Sequence, residues 1–137
     1  MVLGREVCGA VKGACDIAEM GNLTVLLEKT QPAVDAVKGD FPEDQQNSPN
    51  LDFVNKVVEE NVRITVANIR KDSPVLADLE KTGDIKIVDA IYSLHTGEVT
   101  VLDYERLLKT QQLSLGREPS LASARGSFHF QRGALIT

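Results

Sequence analysis

The chain opens with Met1-Val2-Leu3-Gly4-Arg5-Glu6-Val7-Cys8-Gly9-Ala10-Val11-Lys12-Gly13-Ala14-Cys15, and this stretch decides the fold class. Its pattern predicts the last residues of a buried strand, a tight glycine turn, a thiol, and a helix that runs from Cys8 to Met20. Strand–turn–helix junctions gather free backbone N–H groups at one end of a sheet, where α/β proteins commonly place their chemistry. We therefore predict an α/β protein whose functional site lies in this stretch.

Composition is typical of one globular domain. The chain has 137 residues, of which 42% are hydrophobic and 26% are charged, so it is long enough for one core and too short for two ordinary domains. It contains no run of eighteen apolar residues and no basic segment followed by an apolar one at its start. These patterns predict neither a membrane span nor a secretory signal, and we expect a cytoplasmic protein.

Charge separates the chain into two parts. Residues 1–103 carry ten basic and eighteen acidic side chains, whereas residues 104–137 carry five basic and two acidic ones. The formal net charge of −5 argues against nonspecific nucleic-acid binding, which depends on clustered Lys and Arg. Residues 114–137 are rich in Ser, Gly and Arg and lack periodicity, so we predict a domain over 1–103 and a basic, poorly ordered tail over 104–137.

Helices are predicted for much of the predicted domain. Apolar residues repeat at helical spacing between Leu51 and Lys71, which predicts one long amphipathic helix. Gly21 is the predicted cap of the first helix, and a second short helix is predicted to begin at Asn22 and to restart at Pro32. A further helix is predicted from Ser73 to Lys81, with Gly83 ending it. The segment from Lys38 to Asn50 is polar and contains two prolines, which predicts a loop.

A hairpin is predicted near the end of the domain. Residues Ile85–Tyr92 are rich in β-branched side chains and predict a buried strand, while Val99–Leu102 predict its antiparallel partner after a turn through His95 and Gly97. The two cysteines, Cys8 and Cys15, are seven residues apart. On one helix this spacing is too long for a disulfide, so we predict two reduced thiols.

The opening stretch resembles a known motif. Val2 to Lys12 is similar to the second metal-ligand motif of the β-class carbonic anhydrases, which reads hydrophobic-hydrophobic-Gly-His-x-x-Cys-Gly-[Ala/Gly]. Further segments resemble the same family in the same order, over about residues 1–102: Gly21-Asn22-Leu23, Glu60-Asn61-Val62-Arg63, Ser73-Pro74-Val75-Leu76, and Lys86 to Val99.

This resemblance implies a mostly parallel sheet flanked by helices, zinc as cofactor, and reversible hydration of carbon dioxide to bicarbonate. It also implies that Cys8 is a zinc ligand, while Arg5 occupies the position of the expected histidine. An arginine keeps its proton and cannot donate a lone pair to a metal. The family's earlier Cys-x-Asp-x-Arg motif is not found in the sequence, so we expect an N-terminally incomplete copy of the fold with weak or no activity.

Further candidate residues follow from their positions in the chain, and the candidate partners follow from the resemblance. Gly4, Arg5 and Gly9 are candidates for motif or anion-binding positions, whereas Cys15, His95 and His129 are interpreted as structural or solvated residues rather than ligands. The incomplete sheet implies a homo-oligomer, or association with a complete carbonic anhydrase chain. The alternative is a noncatalytic interaction or regulatory subunit that binds a partner through uncovered sheet and helix faces.

Overall fold

A computed structural model describes residues 1–19 and 21–103 of the chain. The elements in chain order are β1 (Val2–Arg5), α1 (Gly9–Cys15), α2 (Thr24–Glu28), α3 (Gln31–Lys38), α4 (Leu51–Asp72), α5 (Pro74–Thr82), β2 (Asp89–Tyr92) and β3 (Val99–Val101). Single 3₁₀ turns over Gly21–Leu23 and Glu43–Gln45 complete the described part. The predicted tail and His129 lie outside the described residues.

The three strands form one small mixed sheet in the order β1-β2-β3. Strand β1 runs parallel to β2, from the pair Val2–Asp89 to the pair Arg5–Tyr92. Strand β3 is antiparallel to β2 and forms an edge of the sheet. The predicted α/β class and the terminal antiparallel hairpin are therefore confirmed.

Helix α4 is the element on which the sheet packs. The Asn50 side chain caps it by accepting hydrogen bonds from the N–H groups of Asp52 and Phe53, as expected for an asparagine at this position. Its β-branched residues lower helix propensity, so tertiary burial must hold it helical. The buried stripe comprises Phe53, Val54, Val57, Val58, Val62 and Val66, in close agreement with the predicted repeat.

Helices α1 and α3 close the core against α4. Pro32 lies in the first turn of α3, where its missing N–H costs no helical hydrogen bond. The rings of Phe41 and Phe53 meet edge to face, with centroids 5.3 Å apart, a favoured aromatic geometry. The core also contains Val11, Ala14, Cys15, Leu27, Ala33, Val34, Val37 and Ala90.

Helix α1 is shorter than predicted, because it ends at Cys15 rather than at Met20. Ile17 adopts a left-handed backbone with a φ of 53°. The N–H of Ala18 bonds to the carbonyl of Gly13 at 2.9 Å, and that of Ile17 to the carbonyl of Ala14 at 3.2 Å. This is the Schellman pattern that usually requires glycine. Gly21 is therefore not the cap of α1, and the periodicity could not reveal an isoleucine in that role.

The strand predictions also need correction. Residues of β1 alternate between half-buried and exposed, so β1 is not a buried strand, and its Leu3 side chain is 52% exposed. Strand β2 begins at Asp89 rather than at Ile85. The backbone of Ile87 forms hydrogen bonds with side chains instead of with a strand. Its N–H donates to Glu80 and its carbonyl accepts from Arg70, both at 3.3 Å.

Helix α5 follows the prediction closely. The Ser73 hydroxyl accepts the N–H of Leu76 at its start, and Gly83 ends it in the left-handed region with a φ of 86°. Both are the residue types that these positions favour. None of the helices in residues 1–19 and 21–103 is long and apolar enough to cross a membrane.

Candidate functional site

The turn between β1 and α1 carries the candidate site. Strand β1 ends after Arg5, and the N–H of Glu6 still bonds to the carbonyl of Tyr92 at 3.1 Å. Cys8 then stands at the N-cap of α1 with an extended backbone, and its carbonyl accepts the N–H of Lys12 at 2.9 Å. The predicted strand–turn–helix junction is present, with Cys8 at the end of the turn rather than inside the helix.

Val7 gives this turn an unusual backbone. Its φ is 55°, a left-handed conformation that costs a side-chain-bearing residue about 1–2 kcal/mol. The Val7 N–H donates to Oδ1 of Asn55 on α4 at 2.9 Å. Asn55 therefore anchors the turn beside Cys8, and sequence reasoning missed it because the two residues are 48 positions apart.

Gly4 sets how closely the strand approaches α4. A Cβ atom at this position would lie 2.6 Å from Val62 Cγ2 and 2.9 Å from Val58 Cγ1 on the helix, and 2.7 Å from Ile91 Cδ1 on β2. Nothing would lie within 4 Å of a Cβ at Gly9. Gly4 is therefore required by packing, whereas space alone does not require Gly9.

The two cysteines differ in burial. Cys8 is half-buried and Cys15 is buried, and no disulfide joins them, as their spacing predicted. Burial raises the pKa of the Cys15 thiol to about 11, with a further contribution from the charge of Asp16. Cys15 is therefore a core residue, which agrees with its interpretation as structural.

The described residues do not provide a zinc site. Arg5 is exposed on β1, and His95 is exposed in the hairpin turn. No group of three or more His, Cys, Asp or Glu side chains in residues 1–19 and 21–103 could hold a metal ion. A catalytic zinc needs three protein ligands and one open position. Cys8 alone does not meet that requirement.

A family model of carbonic anhydrases matches residues 1–99, which is most of the chain. The chain belongs to the β-carbonic anhydrase family. The solved structure of the β-carbonic anhydrase CcaA has the same fold, with a TM-score of 0.59 and 22% sequence identity. The match covers 77% of this chain and 50% of that one, so the chain spans half the length of CcaA. No curated protein matches the chain.

The β1–α1 junction can now be compared with the family's ligand motif. The junction that carries Gly4, Arg5, Cys8 and Gly9 is the part that resembles the family's ligand motif. The structure places these four residues on one continuous β1–α1 segment. It does not bring Cys15 or His95 to that segment as further ligands. Zinc is a property of the family, and this chain's described donors do not fit it.

Proposed function

We propose that this chain is a β-carbonic anhydrase relative with little or no activity by itself. The family reaction is the zinc-dependent hydration of carbon dioxide to bicarbonate. One observation carries the proposal: the ligand motif retains Cys8, but Arg5 stands where the histidine ligand is expected. The guanidinium has no lone pair for a metal, and a permanent positive charge next to the site repels a cation. Two free thiols are also consistent with the proposed cytoplasmic location.

Metal analysis of the purified full-length chain tests this proposal. We expect much less than one zinc per chain after incubation with zinc and removal of the excess, and no carbon dioxide hydration above the buffer rate. Any residual zinc should fall further in Cys8→Ser. A complete β-carbonic anhydrase handled in parallel is the control for retention of the metal. About one zinc per chain with measurable hydration would contradict the proposal.

A second candidate function is binding to a partner chain. The edge of β1 that faces away from β2 favours it, because no strand in residues 1–19 and 21–103 pairs with that edge. The N–H groups of Val2 and Glu6 point toward β2, where they bond to the carbonyls of Val88 and Tyr92. Backbone groups alternate in direction along a strand, so those of Leu3 and Arg5 point away from β2. Leu3 on this strand is also exposed, and an unpaired strand edge beside an exposed apolar side chain favours pairing with another chain.

Association in solution tests the partner candidate. We expect the full-length chain to form a dimer or larger assembly by light scattering, because pairing removes the β1 edge and Leu3 from water. Leu3→Lys should weaken association about tenfold or more, since it places a charge in the contact. Val75→Lys is the matched control, because Val75 is 69% exposed on α5. A stable monomer that does not aggregate would rule out self-association through this edge.

A further inference from the structure

A cavity of about 270 Å³ lies between the C-terminal part of α5 and the start of β2. The charged residues that line it are Arg70, Glu80, Lys81, Lys86, Asp89 and Asp103. Asp89 pairs with Val2 at the beginning of the parallel strand pair, whereas Cys8 follows the other end of β1. The cavity is therefore separate from the β1–α1 turn. Its volume is near the lower limit of ligand pockets and suits a small metabolite.

Asp89 is the feature that points to a ligand. It is only 6% exposed, yet among the described residues its carboxylate accepts no hydrogen bond and forms no ion pair within 4 Å. Every fully buried side-chain polar atom in the described part has a partner, so the unpaired carboxylate oxygens must reach the cavity. Burying a carboxylate without a hydrogen-bond donor costs free energy. A ligand whose N–H groups donate to the carboxylate would offset that free energy.

Arg70 supplies a fixed positive charge to the same cavity. Its Nε donates to Glu80 Oε2 at 2.6 Å, and its Nη2 donates to Glu80 Oε1 at 2.8 Å. The hydrogen bonds that Arg70 donates to Glu80 raise the pKa of Arg70, and the nearby negative charges of Asp89 and Asp103 act in the same direction. The bonds of Nε and Nη2 leave Nη1 as the nitrogen available to a ligand. Lys81 and Lys86 line the cavity from exposed positions.

The charges select the class of ligand. Glu80 and Arg70 largely neutralise each other, because two hydrogen bonds join them in a bidentate pair. The two lysines are balanced by the carboxylates of Asp89 and Asp103, so the lining as a whole carries no formal net charge. A simple anion would meet these two carboxylates, and a simple cation would meet the lysines. A molecule with one charge of each sign satisfies both. Among the described residues no cluster of His, Cys, Asp and Glu suits a metal ion, so an organic ligand is the better match.

We propose that this cavity binds the zwitterion of a small α-amino acid. The ammonium group donates to the carboxylate of Asp89, and the carboxylate accepts from Arg70 Nη1 and from the lysines at the cavity mouth. The binding site is independent of the zinc motif and of the proposed loss of activity. A small side chain on the amino acid would be accommodated by the remaining volume of the cavity.

Titration of the full-length chain with L-alanine, followed by ¹H–¹⁵N NMR at neutral pH, tests the proposal. We expect saturable shifts that are concentrated between Ile85 and Ala90, with a Kd of about 1 mM, a strength that six non-hydrogen atoms can supply. Propionate and ethylammonium each keep only one of the two charged groups of alanine. Each should bind at least about tenfold more weakly than L-alanine.

Asp89→Asn is the decisive variant, because it keeps the shape of the side chain and removes its charge. It should weaken L-alanine binding about tenfold or more. Asp78→Asn is the matched control on the exposed surface of α5 and should bind as the natural chain does. Shifts that do not saturate, equal binding of propionate or ethylammonium, or unchanged binding by Asp89→Asn would each overturn the proposal. The comparison of the three small molecules remains informative if Asp89→Asn does not fold.

Discussion

Gly4→Ala is expected to lower the free energy of unfolding by about 2–3 kcal/mol, the upper part of the range for overpacking a core. The added Cβ would lie within 3.0 Å of side-chain atoms of Val58, Val62 and Ile91, which is closer than carbon atoms tolerate. Relief requires β1 to move away from α4 or the three side chains to change rotamer. Either response costs packing, because the contacts on both sides of Gly4 are made by β-branched residues with restricted χ1 angles.

Urea denaturation followed by circular dichroism measures this effect. Gly9→Ala is the matched control, since a Cβ there meets nothing within 4 Å and alanine has the higher helix propensity. It should leave stability unchanged or raise it slightly. Equal stability of Gly4→Ala and the natural chain would show that β1 does not pack on α4 as described.

Phe53→Ala is expected to have the largest effect, a loss of about 3–5 kcal/mol. Phe53 is 0% exposed, and its ring contacts that of Phe41. Removing the ring leaves a cavity at the centre of the contact between α4 and the segment after α3. Because domains of this size have a total stability of about 5–15 kcal/mol, this single change can leave a large unfolded fraction at ordinary temperatures.

Thermal unfolding by calorimetry, with Leu51→Ala as the control, tests this prediction. Leu51 is an apolar residue in the first turn of the same helix, but it is 41% exposed, so its truncation should cost much less. Phe53→Leu retains most of the volume and should fall between the two. If Phe53→Ala and Leu51→Ala unfolded at the same temperature, the core around Phe41 and Phe53 would not be the one that stabilises the chain.

The two candidate functions depend on different parts of the same strand. The chemistry of zinc binding depends on the side chains at the end of β1 and in the turn after it, and Arg5, the last residue of β1, departs from the family pattern. Partner binding depends on the backbone edge and on Leu3, which the described part of the chain leaves exposed. Metal analysis and light scattering therefore distinguish the two without relying on each other.

Several site residues could not be found from the sequence. Asn55 lies on the predicted helix α4, but only folding brings its amide to Val7. The Arg70–Glu80 pair joins α4 to α5 across a corner, and no spacing rule for a single helix predicts it. Asp89 interrupts an apolar stretch of the predicted strand, and this interruption is the signal in the sequence that could have pointed to Asp89.

The sequence by itself determined the family, the α/β class, the long helix with its valine stripe, the capped α5 and the final hairpin. Those features arise from local periodicity, capping residues and motifs, which are short-range properties of the chain. Only the tertiary structure decided that α1 ends at Cys15, that β1 is exposed on one face, and that Asp89 is buried beside a cavity. These outcomes depend on which surfaces meet, because burial and hydrogen-bond partners are set by residues far apart in the chain.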